Sequence, residues 1–393
     1  MELGKNILHN RGELCFITTN KFFNTGYGSK VRAMLSLLRL ERIINFEQVE
    51  VFKDILVSSV IIGFQNTNTP EGNMIEFEQF VELNHEEFKK EFSNRMGNFG
   101  VYLQKYLGET EWSFSDVERL ALKEKIQTAG TPICKVEGIS VYRGVTTGYN
   151  PAFIISDEQR DRLINEDFKN SNVIKNMLQG RNIRKWYYNE SNENLIFTRR
   201  GFNINDFPTL KTHLFQYYKY LKPKTISTEE FGRKPGKYEW FEILDNTAYY
   251  PQFEVSEKII WGLTANKWAF AYDDKQHYLP SNGYILTSTA LPIKYILGIL
   301  NSKVLHFYFS FIGVMTAGGA YTLKAATIEA LPIPKVSQGK QKAIISLVDK
   351  ILDAKSLDAN IDVTSEEQEI DNLVYELYGL TPDEIEIIER QGD

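Results

Sequence analysis

Five cations, Arg181, Arg184, Lys185, Arg199 and Arg200, fall within twenty positions of "QGRNIRKWYYNESNENLIFTRRGF", interleaved with Trp186, Tyr187 and Tyr188. A guanidinium is a planar fork that can chelate O6 and N7 of guanine or brace a phosphate, and aromatic rings add rigid contact area. A second basic loop, "FGRKPGKYEW", sets Arg233, Lys234 and Lys237 between glycines, as a mobile groove-entering loop would be built. "YYKYLKPKT" adds Lys219, Lys222 and Lys224, and Arg143 precedes a Gly-rich turn in "VYRGVTTGYN". These residue types point to a polyanion surface with base-edge contacts. Each has a plainer role. Trp186 and Tyr187 are expected to be core-forming on one face. One of Arg199 and Arg200 can brace a loop carboxylate, and the lysines of 219–224 fit a solvated helix end as well as a phosphate clamp.

The elements that must position these groups are read from periodicity. Leu14–Thr18 is a short apolar run of the kind buried on both faces of a parallel sheet. A helix follows over Val31–Leu40, then strands at Ile43–Val51 and Leu56–Phe64, close enough to form an antiparallel hairpin. "NTNTPEGN" reads as a linker, and helices are expected over Glu86–Phe92 and Ser115–Gln127, the second with Ser115 and Glu118 at capping-box spacing. Residues 136–335 carry many short alternating runs ("NLIFT", "KIIWGLT", "WAFAYD", "GYILTST") and one helix, Leu291–Leu300, with Pro292 near its start. The end of the chain reads as two helices. One has Ile344, Leu347, Val348 and Ile351 at helical spacing; the other stops at Gly379 ahead of Pro382. The fold class is therefore α+β, in four stretches: 1–65, 66–135, 136–335 and 336–393.

The net charge of −6 conceals an asymmetry. Residues 341–393 hold 14 acidic and 4 basic side chains, a net of −10, leaving +4 for the remainder. Residues 141–240 hold 17 basic and 11 acidic, a net of +6. Such asymmetry hints at a polyanion partner. No apolar run is long enough to span a membrane, and no basic segment followed by an apolar core opens the chain, so neither a membrane span nor a secretory signal is expected. Cys15 and Cys134 and five scattered histidines have no ligand spacing, which fits a reduced cytoplasmic compartment and no structural metal.

Catalytic chemistry is hard to assemble. "YNPAFII" holds Asn150-Pro151-Ala152-Phe153, in which Phe153 would be a base-stacking ring; the plainer reading is a Gly-rich turn feeding a strand. Pro70-Glu71 and Glu87-Phe88-Lys89 match a metal-dependent nuclease only loosely, and the latter reads as a solvated helix. The glycines of "RGVTTGYN" and "MTAGGAYTLKAAT" lack the spacing of a phosphate-binding loop. No Ser/His/Asp grouping stands out.

"GELCFITTNKFF", "YGSKVRAML" and "VFKDILVSSVIIGF" resemble the ending of class I methyltransferases, as it occurs in adenine-N6 DNA methyltransferases of the TaqI type and in fused type IIG restriction–modification enzymes. "GTPICKVEGISVYRGVTTGYNPAFII", "VIKNMLQGRNIRKWYY", "LGILNSKVLHFYF" and "GGAYTLKAATIEALPIP", in that order, resemble the TaqI-like C-terminal specificity domain. The resemblance implies the last strands of a methyltransferase sheet at 1–65, a helical linker region at 66–135, a mainly β target recognition domain for duplex DNA at 136–335, and C-terminal helices. It makes Arg143, Arg181, Arg184, Lys185, Arg199, Arg200, Arg233, Lys234 and Lys237 the DNA-binding candidates. The S-adenosylmethionine loop and the Asn-Pro-Pro-Tyr loop of the complete enzymes have no counterpart before Gly12. No catalytic, cofactor or metal residue is therefore assigned, and the chain is expected to be inactive by itself, working with a catalytic polypeptide or a longer N-terminal region in phage defence. Two other readings stay open: an aromatic-rich module for protein or carbohydrate, and an acidic helical tail that docks a partner subunit.

Overall fold

Short apolar runs in "RIINF" and "SVIIGF" build the centre of an antiparallel pair, and the rest of the first sheet grows around it. The computed structural model describes residues 1–53, 57–97, 99–112, 114, 117–226, 229–316 and 319–390. They divide into two units, Met1–Lys123 and Glu124–Asp393.

The first unit is a five-stranded sheet of β1 (Glu13–Thr19), β2 (Leu38–Glu47), β3 (Ser59–Asn68), β4 (Met74–Val81) and β5 (Gly100–Leu103), in the order β1-β3-β2-β4-β5. The expected hairpin is present as β2 and β3, with Ile43 opposite Ile62 and both fully buried. The short helices α1 (Glu2–Ile7) and α2 (Ser29–Leu37) flank β1 in sequence. The second ends at Leu37 rather than Leu40, because Leu38–Leu40 extend β2.

β1 departs from expectation. It pairs antiparallel with β3 alone and is an edge strand, so Phe16 and Ile17 remain 42% and 43% exposed instead of buried in a parallel sheet. "NTNTPEGN" is not a linker either. It ends β3 and turns into β4, which pairs parallel with β2. The buried Gln104 side chain ties this corner, donating to Leu38 O (2.7 Å) and Thr69 Oγ1 (2.8 Å) and accepting from Leu40 N (3.0 Å). Polar residues there complete strand ends. Residues 1–65 therefore share one sheet with β4 and β5. Helix α3 (His85–Arg95) is capped by Asn84 and Glu87 and sets Phe88 and Phe92 against Phe46 and Phe80. Helix α4 spans Val117–Ala129; the expected Ser115 cap lies outside the described residues.

The second unit is built on a four-stranded antiparallel sheet of β7 (Ile139–Arg143), β11 (Lys258–Gly262), β13 (Ala271–Asp273) and β14 (Gly283–Ser288), in the order β13-β11-β14-β7. A three-stranded sheet joins β8 (Ile154–Ser156), β10 (Glu193–Ile196) and β9 (Ile174–Met177) in that order. Two small ones join β6 (Thr131–Pro132) to β17 (Pro332–Ile333), and β12 (Thr264–Ala265) through β16 (Tyr321–Thr322) to β15 (Val314–Met315). The core between them includes Phe153, Leu195, Leu210, Tyr250, Ile260 and Ile285. Helices α5 (Asn150–Phe153), α6 (Asp157–Glu166), α7 (Pro208–Phe215) and α8 (Tyr218–Leu221) lie between the strands in sequence.

Inside the main sheet Lys258 and Asp273 form a fully buried ion pair at 2.6 Å. Asp273 also accepts the His277 backbone N–H at 3.0 Å and lies 2.9 Å from its ring Nδ1, while Lys258 reaches Phe253 O. Both charges are thus multiply hydrogen-bonded, which buried ions require. Helix α9 (Ile293–Leu300) starts behind Pro292 as expected, and α10 (Lys303–Ile312) follows at a bend of 65°. Both are almost wholly buried, and no single helix among the described residues is long and apolar enough to cross a membrane. After α11 (Ala325–Glu329) the chain ends in three helices rather than two: α12 (Gln338–Leu357), α13 (Thr364–Leu377) and α14 (Pro382–Glu389). Gly379 (φ +64°) follows α13, and Pro382 opens a new helix instead of a coil.

Candidate nucleic-acid interface

The two basic loops are organised by one carboxylate. Glu242, almost wholly buried, accepts the Gly201 N–H at 3.1 Å and the Glu239 N–H at 2.9 Å, and lies 3.5 Å from the Arg200 guanidinium. Arg200 also donates to Ile243 O (2.5 Å) and Leu244 O (2.6 Å), so of the two arginines after β10 it is the one that braces a carboxylate. Arg199 donates to Thr247 O at 3.1 Å and lies over the Tyr250 ring.

Arg233 corrects the expectation of a mobile loop. It is 4% exposed and donates to five backbone carbonyls: Leu221, Thr147, Glu242, Glu239 and Trp240, at 2.7–3.3 Å. A guanidinium has the five N–H groups for this, and a buried cation needs them satisfied. Burial pushes its pKa down to about 10, still well above neutral pH, so the charge persists. In this conformation Arg233 is an internal tie and cannot reach a groove. Gly148 makes room for it: φ is +81°, and a Cβ there would lie 2.7 Å from Arg233 Cδ.

Next to this anchor, Lys234 and Lys237 are exposed and have no carboxylate within ion-pair distance among the described residues. Their turn is closed by the Tyr238 hydroxyl, which donates to Lys234 O, while the Tyr238 ring lies under the Arg200 and Arg233 guanidiniums (5.1 and 4.6 Å). Arg200, Phe202, Asn203, Lys237 and Tyr238 line an open groove beside the turn. The structure thus brings Arg200, Arg233, Lys234 and Lys237 together.

The other candidates lie elsewhere. Arg181 is largely exposed, 2.6 Å from Glu193. Arg184 is exposed and donates to Arg181 O and Ile183 O, and exposed Arg143 donates to Ser281 O. Lys185 pairs with Glu367 on α13 at 3.1 Å. Trp186 is core, as expected, with an unusual φ of +78°. Phe153 is fully buried in the one-turn helix Asn150–Phe153, with the Arg233 guanidinium 5.6 Å from its ring, so it is no open stacking ring. The glycines of "RGVTTGYN" serve packing: a Cβ on Gly144 would lie 2.1 Å from Pro280 O. Glu87 and Lys89 sit on the exposed face of α3. Cys15 and Cys134 are exposed free thiols, and no cluster of three metal-ligating side chains occurs among the described residues.

Two organising residues escape a sequence reading. Glu242 has a weak signal, an acid enclosed by apolar residues in "WFEIL"; Glu367 has none.

Residues 175–333 match the TaqI-like C-terminal specificity domain, and residues 1–52 match the Eco57I restriction-modification methylase family. The type II methyltransferase M.BstVI of Geobacillus stearothermophilus is 21% identical over 97% of this chain, which spans 66% of that protein's length. The fold is similar to that of the type IIL restriction-modification enzyme MmeI, solved in complex with DNA. The TM-score is 0.61 at 15% identity, over 96% of this chain and 49% of the MmeI chain. From its β-rich middle to both ends, the chain thus resembles the C-terminal part of restriction–modification methyltransferases, and residues 175–333 are similar to a TaqI-like C-terminal specificity domain.

Proposed function

We propose that this chain reads duplex DNA for a restriction–modification adenine-N6 methyltransferase. The observation that carries the reading is the Lys234–Lys237 turn: two exposed ammonium groups without carboxylate partners among the described residues, on a rigid base tied by Arg233, inside the segment similar to TaqI-like specificity domains. Rigid support lowers the ordering cost of binding and fixes which groove positions the cations reach. Lys234 and Lys237 would take phosphates. Arg143, Arg181 and Arg184, exposed and held by one or two carbonyl or surface carboxylate contacts each, can exchange those partners for phosphates or guanine edges.

S-adenosylmethionine chemistry and the adenine-holding loop would come from a catalytic methyltransferase polypeptide or a further N-terminal region. The free edge of β1 suits that partner, since an edge strand offers unpaired backbone groups and Phe16 and Ile17 offer apolar surface beside it. Such a role would belong to the cytoplasm and to phage defence.

The test is a selection from random duplex DNA with the purified chain at low and then moderate salt. Enrichment of a short motif that survives the higher salt is the expected result. Binding without enrichment moves specificity to the catalytic partner, and no binding at either salt overturns the reading for the isolated chain.

A further inference from the structure

Helix α7 ends on Phe215 and α8 begins on Tyr218, three residues later and on the same side of the chain. Their rings stack at 5.4 Å and 28°, and Trp240 meets both edge-on, at 5.6 and 5.4 Å. Phe215 is 59% and Tyr218 41% exposed, so this three-ring ledge faces solvent. Further along, half-exposed Tyr220 stacks on Tyr149 at 5.1 Å, and Lys219 Nζ lies 3.4 Å from the centre of the Phe231 ring. Residues 208–240 carry seven basic and three acidic side chains. Lys224, Lys234 and Lys237 have no carboxylate partner among the described residues, whereas Lys222 is taken by Glu229.

Scattered exposed apolar residues need no explanation, but a contiguous aromatic ledge in a segment that also carries exposed lysines without carboxylate partners among the described residues does. The charge selects a polyanion, and the open ring faces select a partner with flat apolar faces of its own. A duplex hides its base faces in the stack and offers only edges and backbone. An unpaired nucleotide offers both a face and a phosphate. We infer that the Phe215–Tyr218–Trp240 ledge binds unpaired nucleotides, stacking a base on Phe215 or Tyr218 while neighbouring lysines hold the adjoining phosphates. The inference rests on nucleic acid being the ligand of this unit, as in the proposed function, but not on sequence reading from a duplex.

The test uses the full chain with three labelled probes in low salt: a single-stranded oligothymidylate, a blunt duplex of mixed sequence, and inorganic polyphosphate. Phe215→Leu/Tyr218→Leu keeps apolar bulk and removes both exposed rings; a Tyr218→Ala variant with an unchanged melting temperature serves if the double variant does not fold. The expected result is an oligothymidylate affinity lowered about tenfold or more, with duplex and polyphosphate binding unchanged. Equal losses on all three probes, or single-strand binding no tighter than polyphosphate, overturn the inference. So does a ledge that mediates only self-association or protein contact, seen as loss of oligomer in the double variant with nucleic-acid binding intact. Ring-dependent single-strand binding alongside a failed duplex selection would remove the duplex reading alone.

Discussion

The indole Nε1 of Trp186 lies 2.5 Å from Glu367 Oε1, an oxygen that also takes the Lys185 ammonium at 3.1 Å. Trp186 is core in the second unit and Glu367 belongs to α13, so one carboxylate pins the C-terminal helices to the first basic stretch. Glu367→Ala leaves the buried indole N–H unsatisfied and is expected to cost about 1–3 kcal/mol, read from urea midpoints. Glu367→Gln keeps an acceptor for Trp186 and should retain most of that stability; an equal loss would transfer the effect to the Lys185 ion pair.

Arg233→Met removes the donors for five carbonyls at once, three of them in buried hydrogen bonds. A loss of more than about 3 kcal/mol is expected, placing it in the tail of single-substitution effects. Arg233→Lys, with three donors and no fork, should recover only part of it. A variant that unfolds no more readily than the native chain in thermal melts would show the tie to be dispensable.

Lys234→Gln/Lys237→Gln should behave in the opposite way. Neither side chain supports the fold, so stability stays within about 0.5 kcal/mol. Duplex affinity is expected to fall uniformly across sequences, and the slope of log K against log salt to shrink by about 2, one unit per lost phosphate contact. An unchanged slope would mean that the turn points away from DNA.

Asp371 supplies a pH signature. It is buried and accepts the Lys303 N–H at the start of α10. Burial raises its pKa from 3.8 to about 6, outweighing that hydrogen bond and the charges of Lys185 and Lys303 that favour ionisation. A carboxyl with a raised folded-state pKa binds its proton more tightly when folded, so its stabilising contribution is full below pH 3.8 and is lost as pH rises through about 6. The stability difference between the native chain and Asp371→Asn should therefore shift in favour of the variant between pH 4 and pH 7. Denaturant melts at the two pH values check this, and a pH-independent difference would count against the buried acid.

Much of the scaffold was legible in the residues alone. The spacing of Ile344, Leu347, Val348 and Ile351 yields a helix with all four buried, and the two apolar runs around Ile43 and Ile62, close in sequence, yield the hairpin that pairs them. Trp186 is core as its type and setting suggest, and the order of motifs in the middle of the chain leads to the similarity with TaqI-like specificity domains. These features depend on local period and local composition, which the chain carries within a few turns or strands.

Tertiary structure alone decided which cations face solvent. Arg233 and Lys234 are neighbours in one polar loop, yet the first is sealed by carbonyls that include Thr147, 86 positions away, and the second is open. Glu367 meets Trp186 across 181 positions. β1 has the apolar run of an interior strand but lies at an edge, because the residues described provide a partner on one side only. Local sequence sets the propensity of a segment and the periodicity of its faces. Whether a charge is buried or a strand edge is covered depends on groups brought together by the whole fold.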